Sequence, residues 1–103
     1  MNPTVELRMR QARQIIDNKS PTMLQYLLPV LKLIKAEYME NSELELNEPI
    51  LTFLINTIEY LMEISANTQY DHRLVIECSL VISRLIVFVH NRIRIFIQSK
   101  TNN

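Results

Sequence analysis

The feature that most limits the fold of this chain is the absence of glycine, since none occurs among its 103 residues. An average protein contains about 7% glycine. Tight hairpin turns need residues with positive φ, which glycine supplies most readily. Phosphate-binding loops, the nucleophile elbow and the EF-hand turn also require glycine. The sequence therefore disfavours β-rich folds and excludes the glycine-dependent nucleotide-binding motifs.

Prolines mark the predicted beginnings of three helices. Proline suits the first helical turn, where its missing N–H is not needed, and small polar residues before it suit the N-cap. Asn2–Pro3 and Ser20–Pro21 follow this pattern. Pro49 does the same with Asn47 or Glu48 as the cap. These positions predict helices beginning near residues 3, 21 and 49.

Apolar residues follow these starts with the 3.6-residue period of amphipathic helices. The predicted stripes are Val5, Met9, Ala12 and Ile16; Leu24, Leu27, Leu28, Leu31, Ile34 and Tyr38; and Leu51, Leu54, Ile55, Ile58, Leu61 and Met62. The first helix is expected to end near Asp17–Lys19 and the third near Ala66. Pro29 lies inside the second stripe and removes one backbone hydrogen bond, so we expect a kink there, with a break into two short helices as the alternative.

The fourth predicted helix is the longest, with Asp71 as its cap and an end near Gln98, roughly 40 Å away. Its polar residues form one narrow stripe: Arg73, Glu77, Arg84, Asn91 and Gln98. A helix that is apolar over most of its circumference must be buried over most of it. Three neighbouring helices cover much of that surface, and we expect the remainder beyond Val89. A strand over Arg92–Ile97 is the competing prediction, because β-branched residues are dense there.

Together these patterns predict an all-α fold: a four-helix antiparallel bundle with a long C-terminal helix and a Pro-kinked second helix. Residues 1–103 are expected to form a single helical domain. The connections are short, which favours antiparallel packing of consecutive helices.

Catalytic and metal-binding patterns are sparse. The possible soft ligands, His72, Cys78 and His90, lack the spacing of zinc motifs. Glu59 and Glu63 share one helix face, but no glutamate has the histidine three residues later that bundle di-metal sites use. We therefore expect a non-enzymatic protein with no cofactor, no metal and no small-molecule substrate.

The location of the protein is expected to be cytoplasmic, without membrane insertion. The single cysteine, Cys78, cannot form an internal disulfide. The N-terminal residues lack the apolar run of a signal peptide. The most apolar window, Leu74–Val89, contains Glu77 and Arg84, which argues against a transmembrane helix.

Two surfaces are predicted to bind a protein partner. The end of the fourth helix has more apolar residues than a small bundle easily buries, which indicates an interaction site and, most simply, a homodimer. The residues assigned to this apolar site are Val89, Ile93, Phe96 and Ile97. The chain has no net charge, but residues 41–72 carry six acidic and no basic side chains. A second, acidic site for a basic partner is predicted at Glu37, Glu40, Glu43, Glu45 and Glu48.

Two alternative functions remain open from the sequence. The basic residues of the first and last helices, if they share a face, form a nucleic-acid-binding patch; these are Arg8, Arg10, Arg13, Arg84, Arg92, Arg94 and Lys100. The segment Glu48–Asn56, within four predicted helices of about a hundred residues, is similar to the bacteriocin immunity proteins of lactic-acid bacteria. That resemblance implies a binding role. The composition, with much Ile and Asn and no Gly, is also compatible with a viral or AT-rich genome.

Overall fold

A computed structural model of the chain describes residues 3–40 and 48–101. Its four α-helices are α1 (Pro3–Asn18), α2 (Leu24–Glu40), α3 (Glu48–Ile64) and α4 (His72–Thr101), with a 3₁₀ turn at Pro21–Met23 before α2. No strand occurs within these ranges, so the predicted all-α bundle is confirmed. The alternative strand over residues 92–97 is wrong, because α4 continues through this segment to Thr101.

The first three helices alternate in direction along the chain. Arg8, near the start of α1, lies 3.9 Å from Glu37, near the end of α2, so these two helices are antiparallel. Lys19, after α1, lies 3.8 Å from Glu63 at the end of α3, so α1 and α3 run in the same direction. The ring centres of Tyr38, near the end of α2, and of Phe88 in α4 are 5.6 Å apart, so the end of α2 packs against the middle of α4.

The order of packing differs from the order of the sequence. α2 packs mainly between α1 and α4, and α4 packs on α3. The consecutive helices α2 and α3 are therefore not the principal neighbours that short connections would favour. As a result, two sides of α4 contact α2 and α3, and a third side lies outward.

Two predicted helix caps can be compared with the structure. The carboxylate of Asp71 accepts a hydrogen bond from the backbone N–H of Arg73 at 3.0 Å, which confirms this cap. Ser20 has the extended backbone of an N-cap, but its side chain makes no capping bond and instead meets the Thr22 hydroxyl at 2.9 Å. Ser20 therefore occupies the predicted N-cap position before Pro21, but it caps without its side chain. The predicted caps Asn2 and Asn47 lie outside the described residues.

The exit from α1 uses a backbone conformation that usually belongs to glycine. Lys19 has a φ of 54°. Left-handed residues commonly end helices, and glycine is preferred there because it has no Cβ. A chain without glycine places lysine at this position, with a steric cost of roughly 1–2 kcal/mol.

The second helix passes through its internal proline without a break. α2 is continuous from Leu24 to Glu40, and Pro29 is exposed within it. The alternative of two short helices is therefore wrong. A proline on the solvent side leaves its missing hydrogen bond where water can satisfy the carbonyl four residues earlier.

Side chains from all four helices form one buried cluster. α4 contributes Val75, Cys78, Val81, Ile82, Leu85 and Val89. The molecule measures 52 × 26 × 18 Å, and every described residue after Ile93 is exposed. The last two turns of α4 therefore extend beyond the packed part of the bundle.

Candidate interaction surface on the fourth helix

The outward side of α4 has an apolar stripe that the bundle does not cover. Ile76 and Leu80 are each 51% exposed, and Val87 is 58% exposed. Ser83, also exposed, lies between them at the same helical spacing. We call Ile76, Leu80, Ser83 and Val87 the outer stripe. Successive members are four, three and four residues apart, which places them on one face of the helix.

A groove runs beside the outer stripe, between α4 and the end of α2. It has a volume of about 510 Å³ and is lined by Met39, Leu80, Ser83, Arg84, Val87, Phe88 and Asn91. Met39 of α2 is itself 39% exposed. An apolar side chain from another molecule can therefore contact both helices here.

The projecting end of α4 is the second exposed apolar surface. Ile95, Phe96 and Ile97 are 54–57% exposed. The ammonium group of Lys100 lies 5.5 Å from the centre of the Phe96 ring, within the range of a cation–π contact. We call Ile95, Phe96 and Ile97 the helix end.

The structure divides the four apolar residues that were predicted to bind a partner. Phe96 and Ile97 are exposed at the helix end. Val89 is only 3% exposed and belongs to the core, and Ile93 packs against that core while partly buried. Those two side chains therefore stabilise the bundle, and a partner cannot reach Val89 without opening it.

Exposed apolar residues lie beyond Val89, as expected, but further ones lie before it. Leu80 and Val87 lie within the packed part of α4 and are more exposed than the predicted surface residue Ile93. The signal for them is their spacing with Ile76, which places all three opposite the buried Cys78 and Leu85.

The predicted acidic site is not one free surface in the described residues. Glu37 lies at the interface with α1, where it pairs with Arg8 and is 26% exposed at the side chain. Glu40 and Glu48 are exposed at the end of α2 and the start of α3. Glu43 and Glu45 lie outside the described residues. Glu37 therefore links two helices instead of facing a partner.

A second groove, with a volume of about 610 Å³, lies between α1 and α3. Its α1 side carries Arg10 and Arg13, and its α3 side carries Glu59 and Glu63. One ion pair crosses the groove, between Lys19 and Glu63 at 3.8 Å. Arg13 instead pairs with Asp17 of its own helix at 3.8 Å. Arg13 and Glu63 therefore act within the chain, whereas Arg10 and Glu59 form no ion pair among the described residues.

The predicted nucleic-acid surface would need free basic side chains on both terminal helices. On α1, Arg8 pairs with Glu37 and Arg13 pairs with Asp17. On α4, Arg92 lies over the Phe88 ring at 5.5 Å. The two ion pairs reduce the positive charge that α1 can offer to phosphate, whereas Arg92 keeps its charge over the ring. Nucleic-acid binding stays a prediction.

The titratable groups of the core are inert at neutral pH. Burial raises the pKa of the Cys78 thiol to about 12, and the nearby Glu77 carboxylate adds to the effect. Burial also raises the pKa of the Tyr38 and Tyr60 hydroxyls above 10.0.

Within residues 3–40 and 48–101, no three His, Cys, Asp or Glu side chains cluster as a metal site would require.

α4 is also long and apolar enough, by length and composition, to cross a membrane. Its most apolar 18-residue window has a mean hydropathy of 1.7, and 33% of that window is buried inside the bundle. Core helices of soluble proteins pass the same test, so this is weak evidence. The absence of membrane insertion stays a prediction.

Comparison with known proteins finds no family model, no curated protein and no solved structure that matches this chain. The similarity of residues 48–56 to bacteriocin immunity proteins therefore stays a resemblance only.

Proposed function

We propose that this chain is a small, non-enzymatic protein–protein interaction module that self-associates through α4. The observation that supports the proposal is the set of apolar side chains that α4 leaves in water. They form the outer stripe and the helix end, and each of the six apolar residues is more than half exposed. Removing apolar surface from water contributes roughly 25 cal/mol per Å², so these surfaces favour a complex.

A second copy of the chain is the simplest partner for such a surface. In a two-fold symmetric pair the same patch is buried twice, so one apolar helix supplies both sides of the interface. The chain has 11 basic and 11 acidic residues and therefore no net charge that opposes association.

The proposal is tested by placing charges on α4 and measuring the mass in solution. In the double variant Leu80→Lys/Phe96→Lys, a lysine enters each of the two surfaces. The matched control is Ile55→Lys/Met62→Lys on α3, where the wild-type side chains are 55% and 70% exposed. Both proteins should fold, because all four positions face solvent. Circular dichroism checks this.

We expect the α4 variant to be monomeric by light scattering at concentrations where the wild type and the α3 control are dimers. If the α4 variant keeps the mass of the wild-type dimer, α4 is not the contact surface. If the α3 control dissociates equally, an unspecific effect of added charge explains the result.

A further inference from the structure

We propose that the outer stripe is the contact seam of an antiparallel pairing between α4 of two copies of the chain. This inference rests on the self-association proposed above and specifies its geometry. The evidence is the order of residue sizes along the stripe, the hydrogen bonds of Ser83 and the position of two opposite charges beside it.

The spacing of the outer stripe is the same in both directions of the helix. The steps of four, three and four residues are symmetric about a point between Val81 and Ile82. In an antiparallel pair centred there, Leu80 of each copy faces Ser83 of the other. A large side chain thus meets a small one at the two central positions. At the two outer positions Ile76 of each copy faces Val87 of the other. This alternation of 3 and 4 is the spacing that lets two helices interlock along a seam.

Ser83 is suited to burial in such a seam. Its hydroxyl donates to the backbone carbonyl of Ser79 at 2.9 Å, one turn earlier in the same helix. A polar side chain that already has its hydrogen bond loses little when another molecule covers it. The small residue also allows the two helices to approach closely.

Two opposite charges flank the stripe on the same side. Glu77 and Arg84 are seven residues apart, so they lie two turns apart on one edge of the seam. Both are exposed, and neither forms a salt bridge within the described part of the chain. Their unused charges are therefore available to a second copy.

Symmetry decides which edges of the two helices meet. In an antiparallel pair the same edge of both copies comes together, so Glu77 of each copy faces Arg84 of the other, and two equivalent ion pairs form. In a parallel pair this edge faces the opposite one, where Ser79 and Ile86 lie. The charges therefore favour the antiparallel arrangement, since flanking ion pairs set the orientation of paired helices.

The experiment exchanges these charges and measures the dimer dissociation constant by sedimentation equilibrium at low salt. In Glu77→Arg and in Arg84→Glu, two attractive pairs become two repulsive ones. We expect each single variant to dissociate about tenfold more readily. The double variant Glu77→Arg/Arg84→Glu restores opposite charges and should return to within about threefold of the wild type. High salt should reduce these differences.

The matched controls are Glu59→Arg and Arg10→Glu, which make the same charge changes on α3 and α1. We expect them to dimerise like the wild type. An equimolar mixture of the two single α4 variants should regain the dimer mass, because one copy then carries two arginines and the other two glutamates.

The possible outcomes separate the geometry from the function. If the wild type is a dimer and both single variants match the controls, the antiparallel seam is wrong, while self-association through α4 stands. If the dimer of the double variant dissociates as readily as the dimers of the single variants, the pairing of Glu77 with Arg84 is wrong. If the wild type is monomeric at every concentration, both proposals fail.

Discussion

The division of α4 into a core side and an outward side predicts opposite effects for two identical substitutions. Leu80 and Leu85 are five residues apart on one helix, yet Leu80 is 51% exposed and Leu85 is fully buried. Replacing each by alanine keeps the helix propensity favourable, since alanine is the best helix former. Any difference between the two variants therefore reports packing.

The expected losses of unfolding free energy differ severalfold between the two variants. Leu85→Ala leaves a cavity among packed side chains, and such changes cost about 2–5 kcal/mol of unfolding free energy. That is a large fraction of the roughly 5–15 kcal/mol that holds a domain folded. Leu80→Ala removes surface that water already contacts, and exposed positions usually change stability by about 0.5 kcal/mol or less.

The assay is urea unfolding followed by circular dichroism, at two protein concentrations. At low concentration, where the chain is monomeric, only Leu85→Ala should lower the midpoint strongly. At high concentration Leu80→Ala should also lose stability relative to the wild type, because it weakens the dimer that stabilises the folded state by mass action. Equal losses of stability for Leu80→Ala and Leu85→Ala at low concentration would refute this division of α4, since the helix would then present a different side to the core.

Three further predictions concern single sites. Lys19→Gly should raise the unfolding free energy by about 0.5–1 kcal/mol. It relieves the φ of 54°, and this gain exceeds the added freedom of the unfolded chain and the loss of an exposed ion pair with Glu63. An unchanged urea midpoint contradicts this. Tyr38→Phe should leave stability unchanged or raised, because the buried hydroxyl has no hydrogen-bond partner among the described residues; a loss above about 1 kcal/mol contradicts this. The unfolding free energy should fall as the pH rises from 9 toward 12, because the pKa of the Cys78 thiol is near 9.0 in the unfolded chain and about 12 in the folded one. Urea unfolding at several pH values should show a smaller fall for Cys78→Ala than for the wild type. An identical fall in the two proteins contradicts the raised pKa of Cys78.

The features predicted well from the sequence are those that local chemistry determines. Pro3 and Pro49 lie at helix starts, and Asp71 caps α4 through the N–H of Arg73. Each signal depends only on a few neighbouring residues, so it survives whatever tertiary structure surrounds it. Pro21 shows the limit, because it opens a 3₁₀ turn and α2 begins only at Leu24.

The features predicted poorly depend on which helices become neighbours. α4 is apolar over most of its surface, so its sequence alone does not show which side is covered. Packing beside α2 and α3 buries Val89 and leaves Leu80 and Val87 in water. Likewise, Glu37 belonged to an acidic run in the sequence, but the antiparallel contact between α1 and α2 places it beside Arg8.

The most direct test of the account is the mass of the wild-type protein in solution, measured by light scattering behind size exclusion over a hundredfold range of concentration. Self-association through α4 predicts a mass that rises from 12.2 kDa toward twice that value as the concentration increases. A mass of 12.2 kDa at every concentration would contradict it and would leave the apolar surface of α4 without the partner proposed here.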